Sequence, residues 1–382
     1  MSEPPLLGVY VHWPYCARIC PYCDFNVVRD RGQAEQGALA QAIVRDLAAH
    51  AALLGPRRLA SVFFGGGTPS LMDPAWVAAI VEAARGLWPA AGPLEVALEA
   101  NPTDAEAGRF EALRAAGVER LSLGVQALDD AALAFLGRNH SAAEARKAMA
   151  AAARVFPRLS ADLIYARPGQ DLEAWTAELA AVADMGAGHV SPYQLTIEPG
   201  TAFDRAVRRG RLEPLGPEPA AAFYEATQQT LERLGFEAYE VSNHARGEAA
   251  RSRHNLLYWR GEDFVGVGPG AHGRLTLADG RRAVRAAPAV RDYLARVAEA
   301  GRGWAEEAAL SAGEVAEERL LMGLRTVEGV ALDELGPLGL SAGAPRVLEL
   351  AEAGLVRTGG GRLVATAAGR PVLDRLIVEL LG

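Results

Sequence analysis

The first half of the chain alternates short apolar runs with longer amphipathic stretches, and this alternation constrains the fold most strongly. Apolar, β-rich runs cover residues 6–13, 59–64, 94–99, 120–125, 159–165 and 189–197. Helical spacing of apolar side chains covers residues 34–54, 74–87, 104–116, 129–136, 142–155 and 172–185. Six strand–helix repeats predict an α/β fold with a parallel sheet, wound open or closed as a barrel.

Unusual or polar residues recur where these predicted strands end. They are the glycine run 65–67 with Thr68, and then Glu99, Gln126, Asp162 and Tyr193. In barrels of parallel strands the carboxyl ends of the strands carry the chemistry. Each residue alone could be a helix cap or a loop hydrogen-bonding group. Together they predict one shared pocket.

All three cysteines of the chain, Cys16, Cys20 and Cys23, follow the first predicted strand with the spacing C-x₃-C-x₂-C. A disulfide framework would require an even number of cysteines in a secreted chain. A structural zinc ion needs four ligands, and His12 or His140 could supply the fourth, but no second ligand pair stands at finger spacing. An iron–sulfur cluster is held by thiolates. The spacing favours the cluster and leaves zinc open.

The 382 residues carry a net charge of −8. This modest, dispersed charge gives no support for nucleic-acid binding or for a basic membrane-surface patch. The first residues lack a basic signal-peptide region, and no apolar run reaches 18 residues, so we expect no transmembrane helix. A cytoplasmic location, where thiols stay reduced, is the resulting expectation.

Beyond Pro199 the alternation weakens, and we expect three regions: 1–237, 238–309 and 310–382. The last has the order helix, helix, hairpin and helix that is typical of a small α+β winged-helix-like domain. It carries no basic stripe, so a packing or partner-binding role is a better prediction than DNA binding.

The cysteine spacing, with an aromatic residue before the last cysteine, resembles the cluster loop of the radical S-adenosylmethionine (SAM) superfamily. Longer segments resemble the family of anaerobic coproporphyrinogen dehydrogenase, HemN, and the related heme chaperone, HemW. These segments are YVHWPYC from Tyr10, GGGTPS from Gly65, EANP from Glu99, LSLGVQ from Leu121, LGRNH from Leu136, DLIY from Asp162, YQL from Tyr193, YEVSNH from Tyr239 and GPGAHG from Gly268.

This resemblance implies a partial (β/α)₆ radical SAM barrel with a C-terminal extension and a small C-terminal domain. It also implies a [4Fe-4S] cluster on the three cysteines, with one iron left to bind SAM. The residues expected to hold SAM are Tyr10, Gly66, Gly67, Thr68, Glu99, Gln126, Arg138 and Asp162.

Two features favour the chaperone branch. Phe25 stands where the dehydrogenase has a fourth cysteine, and the segment RHNLLYW from Arg253 resembles a signature of the chaperone. This branch implies heme binding and transfer to acceptor hemoproteins, with His254 as the candidate iron ligand and His272 as its rival. Without the family, a hydrogen-bonded core histidine would be the simpler interpretation of His254.

The alternative activity is oxidative decarboxylation of coproporphyrinogen. Whether SAM is cleaved, and therefore whether the chain is an enzyme, remains open at this point, and we assign no catalytic residue. A homodimer also remains open.

Overall fold

The computed structural model describes residues 3–30 and 32–382. Its strands are β1 Leu6–Trp13, β2 Tyr15–Cys16, β3 Val28–Arg29, β4 Arg58–Gly66, β5 Ala90–Ala100, β6 Arg120–Gln126, β7 Arg158–Tyr165, β8 His189–Gln194, β9 Glu237–Glu240, β10 Asn243–Ala245, β11 Asp263–Val267, β12 His272–Leu277, β13 Gly280–Ala286, β14 Trp304–Ala309, β15 Val330–Ala331, β16 Val356–Gly359 and β17 Arg362–Ala365.

The helices are α1 Gln33–Leu54, α2 Pro74–Leu87, α3 Asp104–Ala107, α4 Phe110–Ala115, α5 Asp130–Phe135, α6 Ala142–Val155, α7 Leu172–Asp184, α8 Ala202–Arg208, α9 Pro217–Arg233, α10 Arg253–Trp259, α11 Val290–Ala300, α12 Ala312–Gly323, α13 Pro345–Glu352 and α14 Leu373–Leu381. None of the described helices combines the length and the apolar character that crossing a membrane requires.

One large sheet organises the molecule. In the described residues its order is β14-β13-β12-β11-β1-β4-β5-β6-β7-β8-β10-β9. The six consecutive strands β1, β4, β5, β6, β7 and β8 run parallel to one another. Since β1 and β8 are not neighbours, the barrel is open between them. The predicted α/β fold with a partial (β/α)₆ barrel is confirmed.

Local sequence signals explain why several helix limits agree with the prediction. At α2, the Asp73 carboxylate accepts a hydrogen bond from Ala75 N, and Pro74 occupies the first turn. At α6, Ser141 and Glu144 form a reciprocal capping box. Such caps satisfy backbone N–H groups that have no partner within the helix.

Other predicted limits differ from the structure. The helix predicted over 104–116 is two short helices, α3 and α4, separated by a turn at Gly108. The strand predicted over 189–197 ends at Gln194.

Residues 238–309 extend the large sheet on both sides of the barrel. Strand β11 pairs with β1 in parallel, and β12, β13 and β14 continue the sheet in antiparallel order. At the opposite edge, β9 and β10 follow β8. The limit expected between residues 237 and 238 therefore falls within β9. The three regions given from sequence stay a prediction.

The C-terminal residues form a smaller unit with its own core. Strands β15, β17 and β16 make an antiparallel sheet, and α12, α13 and α14 pack with it. Its core includes Leu320, Leu335, Val347 and Leu376, separate from the core of the large sheet. This order of elements agrees with the predicted winged-helix-like fold.

Candidate functional site

The cysteine loop begins at the carboxyl end of β1, which is an interior strand of the large sheet. Cys16 is buried, whereas Cys20 and Cys23 are half-buried. Backbone hydrogen bonds join the loop to the residues after β4: Gly67 N donates to Trp13 O at 2.7 Å, and Thr68 N donates to Tyr15 O at 2.8 Å. Two neighbouring strand ends thus hold the thiols and the glycine run together.

Glycine is required at two positions of this junction because there is no room for a side chain. A Cβ on Gly66 would lie 2.6 Å from the imidazole of His12, and Gly66 has a left-handed φ of +105°. A Cβ on Gly67 would lie 2.6 Å from the backbone oxygen of Tyr15. The glycine run therefore brings the backbone of β4 against the cysteine loop.

A cavity of about 400 Å³ opens at this end of the sheet. It is lined by eleven of the residues predicted from sequence: Cys16, Cys20, Cys23, Gly66, Gly67, Thr68, Glu99, Gln126, Arg138, Asp162 and Tyr193. These residues lie at or near the carboxyl ends of the six barrel strands and in the segment after α5, so the structure brings the predicted strand-end residues together. We call this cavity the SAM cavity below, after the ligand that the resemblance predicts for these residues.

Arg138 links three walls of the cavity. Its Nη1 donates to Cys20 Sγ at 3.4 Å and to Tyr22 OH at 3.3 Å, and its Nη2 donates to the Asn101 side chain and to Gly124 O. Asn101 Nδ2 in turn donates to Thr68 Oγ1 at 3.3 Å. Arg138 therefore joins the cysteine loop to the segments that follow β5 and end β6.

Gln126 ends β6 in a conformation that an L-residue rarely adopts, with φ of +64°. Its Oε1 atom is buried, and no hydrogen-bond partner for it occurs in the described residues. A left-handed conformation costs about 1–2 kcal/mol for such a residue, and an unsatisfied buried oxygen adds to this cost. Both features are expected where an amide is held in place for a ligand.

Two carboxyl groups, Glu99 and Asp162, lie at the cavity floor. Glu99 Oε2 accepts a hydrogen bond from Gly66 N at 3.1 Å, and Asp162 accepts from Ser122 Oγ at 2.8 Å. Burial, together with the charge of Asp162, raises the pKa of Glu99 to about 8. Burial also raises the pKa of Asp162. The floor is therefore poised to bind a cation, whose charge would favour ionised carboxylates.

Tyr10 and His254 do not line the SAM cavity. They line a second chamber of about 180 Å³ inside the barrel, whose walls share Glu99, Ser122, Asp162 and Tyr193 with the SAM cavity. Burial raises the pKa of the Tyr10 hydroxyl, and the charge of Glu99 adds to this rise. This chamber is the polar floor beneath the predicted SAM site.

His254 is held on both ring nitrogens. Nδ1 lies 2.7 Å from Ser61 Oγ, Nε2 lies 2.6 Å from Tyr258 OH, and the ring stacks on Phe63 with centroids 4.8 Å apart. Burial lowers the pKa of His254 to about 4, so the imidazole is neutral at physiological pH. His272, by contrast, is exposed at the start of β12.

Helix α10, which carries His254, is fixed at its first turn by Glu95. This buried carboxylate accepts from the N–H groups of Arg253 at 3.1 Å and His254 at 2.9 Å, and it pairs with Arg158 at 2.5 Å. Burial alone would raise the pKa of Glu95, but Arg120, Arg158 and the two N–H donors outweigh it and hold the pKa below its usual value.

The C-terminal unit fixes the other end of α10. Arg319 Nη1 donates to Trp259 O at 3.0 Å, and the guanidinium of Arg325 lies 4.8 Å from the centre of the Trp259 ring. Arg325 also pairs with the buried Glu240 at 2.6 Å. The helix with the HNLLYW segment is thus a bridge between the barrel and the C-terminal unit.

The zinc alternative loses support from this geometry. In residues 3–30 and 32–382, no group of three or more His, Cys, Asp or Glu side chains is arranged to hold a single metal ion. Of the two candidate fourth ligands, His12 has its Nε2 2.9 Å from Asn26 O, and His140 has its Nε2 3.1 Å from Val125 O. Neither histidine lines the cavity that the three cysteines line.

Comparisons with known proteins agree with this arrangement. The model of the radical SAM superfamily matches residues 10–180, and the model of the HemN C-terminal domain matches residues 310–372. The chain is 33% identical to the heme chaperone HemW of Bacillus subtilis, over 98% of this chain and 99% of that protein. The chain belongs to the HemW family. The HemW protein of Mycobacterium tuberculosis strain H37Rv is 35% identical over 98% of this chain and 95% of its own length.

A relative of this family from Bos taurus, radical S-adenosyl methionine domain-containing protein 1, mitochondrial, is 42% identical over 98% of this chain and 87% of its own length. Among solved structures, coproporphyrinogen III oxidase (HemN) from Escherichia coli matches with a TM-score of 0.80. It is 20% identical, with 99% of this chain and 90% of that chain covered, so this likeness concerns the fold.

A radical SAM domain implies SAM and a [4Fe-4S] cluster, and the residues present fit both. Three thiols on one loop suit a cluster. The orphaned Gln126 Oε1 atom, the glycine run and the buried carboxyl pair offer an acceptor, a close backbone approach and a site for positive charge.

Sequence reasoning missed Asn101 and Ser122 as site residues. Asn101 joins Arg138 to Thr68, and Ser122 orients Asp162. The Asn-Pro pair after the third barrel strand was a usable signal for Asn101. The sequence gives no such signal for Ser122. A serine inside an apolar strand can hydrogen-bond to many different partners, so its position does not identify one.

Proposed function

We propose that this chain is a heme chaperone that holds a [4Fe-4S] cluster with SAM and passes heme to acceptor hemoproteins. The observation that carries this proposal is the end-to-end similarity to HemW relatives, which spans both the barrel and the C-terminal unit. Phe25 supports it, since this residue lines the cavity, is 59% exposed, and stands at the position where the dehydrogenase would have a fourth cysteine.

In this proposal Cys16, Cys20 and Cys23 ligate three irons of the cluster. Burial raises the pKa of Cys23 to about 11, so the free thiol is protonated at neutral pH and must lose its proton when the cluster binds. The cluster, when bound, supplies one-electron chemistry and an iron that can bind SAM. The chain itself positions the ligands and keeps Cys16 from water.

The residues proposed to hold SAM act from different sides of the cavity. Glu99 and Asp162 face its positive charge, Gln126 offers its free amide oxygen, and Arg138 offers a cation to a carboxylate. The backbone around Gly66, Gly67 and Thr68 lies beside the cysteine loop. Tyr10 lines the chamber below the cavity. It acts through Glu99, whose side chain lines both the chamber and the cavity.

For the heme iron, His254 stays the ligand predicted from sequence, and His272 stays its rival. The environments of these two histidines differ in how accessible the imidazole is to a heme iron. Iron binding by His254 would require the release of Ser61 or Tyr258 from its ring and the opening of a buried site, whereas His272 is already exposed. Acceptor hemoproteins, a homodimer and a cytoplasmic location belong to the same proposal.

A heme titration tests the ligand assignment. The anaerobically reconstituted chain is titrated with heme, and the Soret band is followed for the wild type, His254→Ala and His272→Ala. Loss of the Soret shift in one variant identifies its histidine as the ligand. Unchanged affinity in His254→Ala contradicts the assignment of His254.

A coproporphyrinogen assay tests the proposal against the dehydrogenase alternative. The reduced, reconstituted chain is incubated with SAM and coproporphyrinogen, and HemN from Escherichia coli serves as the positive control. We expect no protoporphyrinogen from this chain. Formation of that product at a rate comparable to the control would overturn the chaperone proposal.

A further inference from the structure

A groove of about 560 Å³ adjoins the SAM cavity and shares part of the cysteine loop with it. The shared residues are Arg18, Ile19, Cys20 and Cys23. The opposite wall comes from α5 and from the start of α8. A molecule in this groove therefore contacts the loop that carries the cluster thiols without entering the SAM cavity. We call it the loop groove.

The floor of the loop groove is apolar and firmly packed. The rings of Phe135 and Phe203 stack with centroids 4.9 Å apart, and Phe203 N donates to Pro21 O at 3.0 Å. Gly137 lies against Pro21 so closely that a Cβ there would be 2.5 Å from the proline ring. Helix α8 and the cysteine loop thus form one rigid surface.

The rim of the loop groove is basic. Arg18 and Arg205 line it, and the segment 204–211 carries Arg205, Arg208, Arg209 and Arg211 against one acid, Asp204. All four of these arginines are exposed, and Arg209 stands one turn after Arg205 on the same side of the helix end. The chain as a whole has a net charge of −8, so this is a local positive surface on an acidic protein.

In the proposed function the cluster exchanges single electrons, and a donor for them has to come from outside the chain. All three cysteines of the chain are in the one loop, so no thiolates remain to hold a second cluster as an internal relay. Cys20 and Cys23 are the two less buried of the three, and both line the loop groove. An electron donor seated there would lie directly beside two of the three thiols that are proposed to hold the cluster.

We propose that the loop groove is the docking surface for an acidic one-electron donor protein. This inference rests on the cluster of the proposed function. One electron leaves the donor, which is oxidised, and enters the cluster, which is reduced, with no bond formed or broken in the chain. Opposite charges on the two surfaces speed the encounter, and a small interface of this kind suits a transient redox complex.

The test uses the reconstituted full chain and a flavodoxin, an acidic flavoprotein, as the donor probe. Stopped-flow absorbance follows cluster reduction by the reduced flavodoxin at several salt concentrations, and calorimetry gives the dissociation constant of the complex. The test variant is Arg205→Glu with Arg209→Glu. The matched control is Arg291→Glu, because the Arg291 side chain is 93% exposed on α11, outside the loop groove.

We expect the double variant to lower the bimolecular rate at low salt by at least about tenfold and to remove most of its salt dependence. The control and the charge-keeping variant Arg205→Lys with Arg209→Lys should behave like the wild type. Reduction by dithionite, which needs no docking, should be equal in all variants and shows that the cluster is intact.

A rate and salt dependence unchanged in the double glutamate variant would overturn the proposal. So would a wild-type rate with no salt dependence. Heme titration of the same variants separates this result from the proposed function, since heme binding should persist whether or not the groove binds a donor.

Discussion

Replacing Glu99 by Gln removes the ability of this side chain to ionise while keeping its size and an oxygen that can accept from Gly66 N. In the ligand-free chain Glu99 has a pKa of about 8, mainly because it is buried and secondarily because of Asp162. An ordinary glutamate has a value of about 4.5. The folded chain therefore holds a proton on Glu99 at neutral pH that the unfolded chain has already lost.

The sign of the stability effect follows from this difference. The stability associated with the protonated group is fully present below about pH 4.5 and is lost as the pH rises to about 8, because the unfolded state releases its proton first. A difference of 3.5 pKa units corresponds to about 5 kcal/mol, an upper limit because water in the cavity screens the charge. Glu99→Gln should therefore be more stable than the wild type near pH 8 and similar to it near pH 4.5.

The affinity for SAM should show the opposite pH dependence and rise with pH, because it depends on the ionised form of Glu99. If SAM binds only the chain with ionised Glu99, its affinity follows the ionised fraction, which rises about 50-fold between pH 6 and pH 8 for a pKa of about 8. In Glu99→Gln this rise should vanish and affinity should be weak throughout. The amino group of SAM titrates equally with both proteins, so the difference between them isolates Glu99.

Calorimetric SAM titrations and thermal unfolding at several pH values provide the measurements. The matched control is Glu225→Gln, an exposed glutamate within α9, which should follow the wild type in both assays. If Glu99→Gln binds SAM with wild-type affinity and wild-type pH dependence, Glu99 does not face the SAM cation. The proposed arrangement of the cavity floor would then be wrong.

Three further substitutions test other parts of the site. Gly67→Ala should lower the iron content after reconstitution, because its Cβ would lie 2.6 Å from Tyr15 O, whereas Gly86→Ala, with free space around it, should not. Glu95→Gln should destabilise the chain by about 3–5 kcal/mol in chemical unfolding, because the buried Arg120 and Arg158 would lose the charge of Glu95, and Arg158 would keep only the more exposed Glu119. Gln126→Gly should keep or raise the thermal stability, since it relieves a φ of +64°, yet should weaken SAM binding in calorimetry.

The barrel and most of its cavity could be predicted from sequence because strong local signals mark them. Apolar runs define the strands, and the predicted helices over 74–87 and 142–155 have the same limits as α2 and α6. Parallel strands all end at one edge, which is why residues as distant as Gly66 and Asp162 could be expected in one cavity.

The remaining features depend on contacts that no local pattern reveals. The pairing of β11 with β1 joins segments about 250 residues apart. The environment of His254 depends on Ser61 and Glu95, from two different strands, so the sequence motif could not distinguish an open iron ligand from a core histidine. Tyr10 belongs to the inner chamber because its side chain points below the strand ends, which only the fold determines.

Transfer of heme tests the central claim most directly. The reconstituted chain is loaded with one equivalent of heme and mixed with heme-free acceptor hemoprotein, and the two are separated and quantified by their Soret absorbance. The account predicts saturable binding of one heme per chain and movement of that heme to the acceptor faster than free heme dissociates. Two results would contradict the account. One is that the chain does not bind heme saturably, and the other is that heme reaches the acceptor no faster than it dissociates freely from the chain.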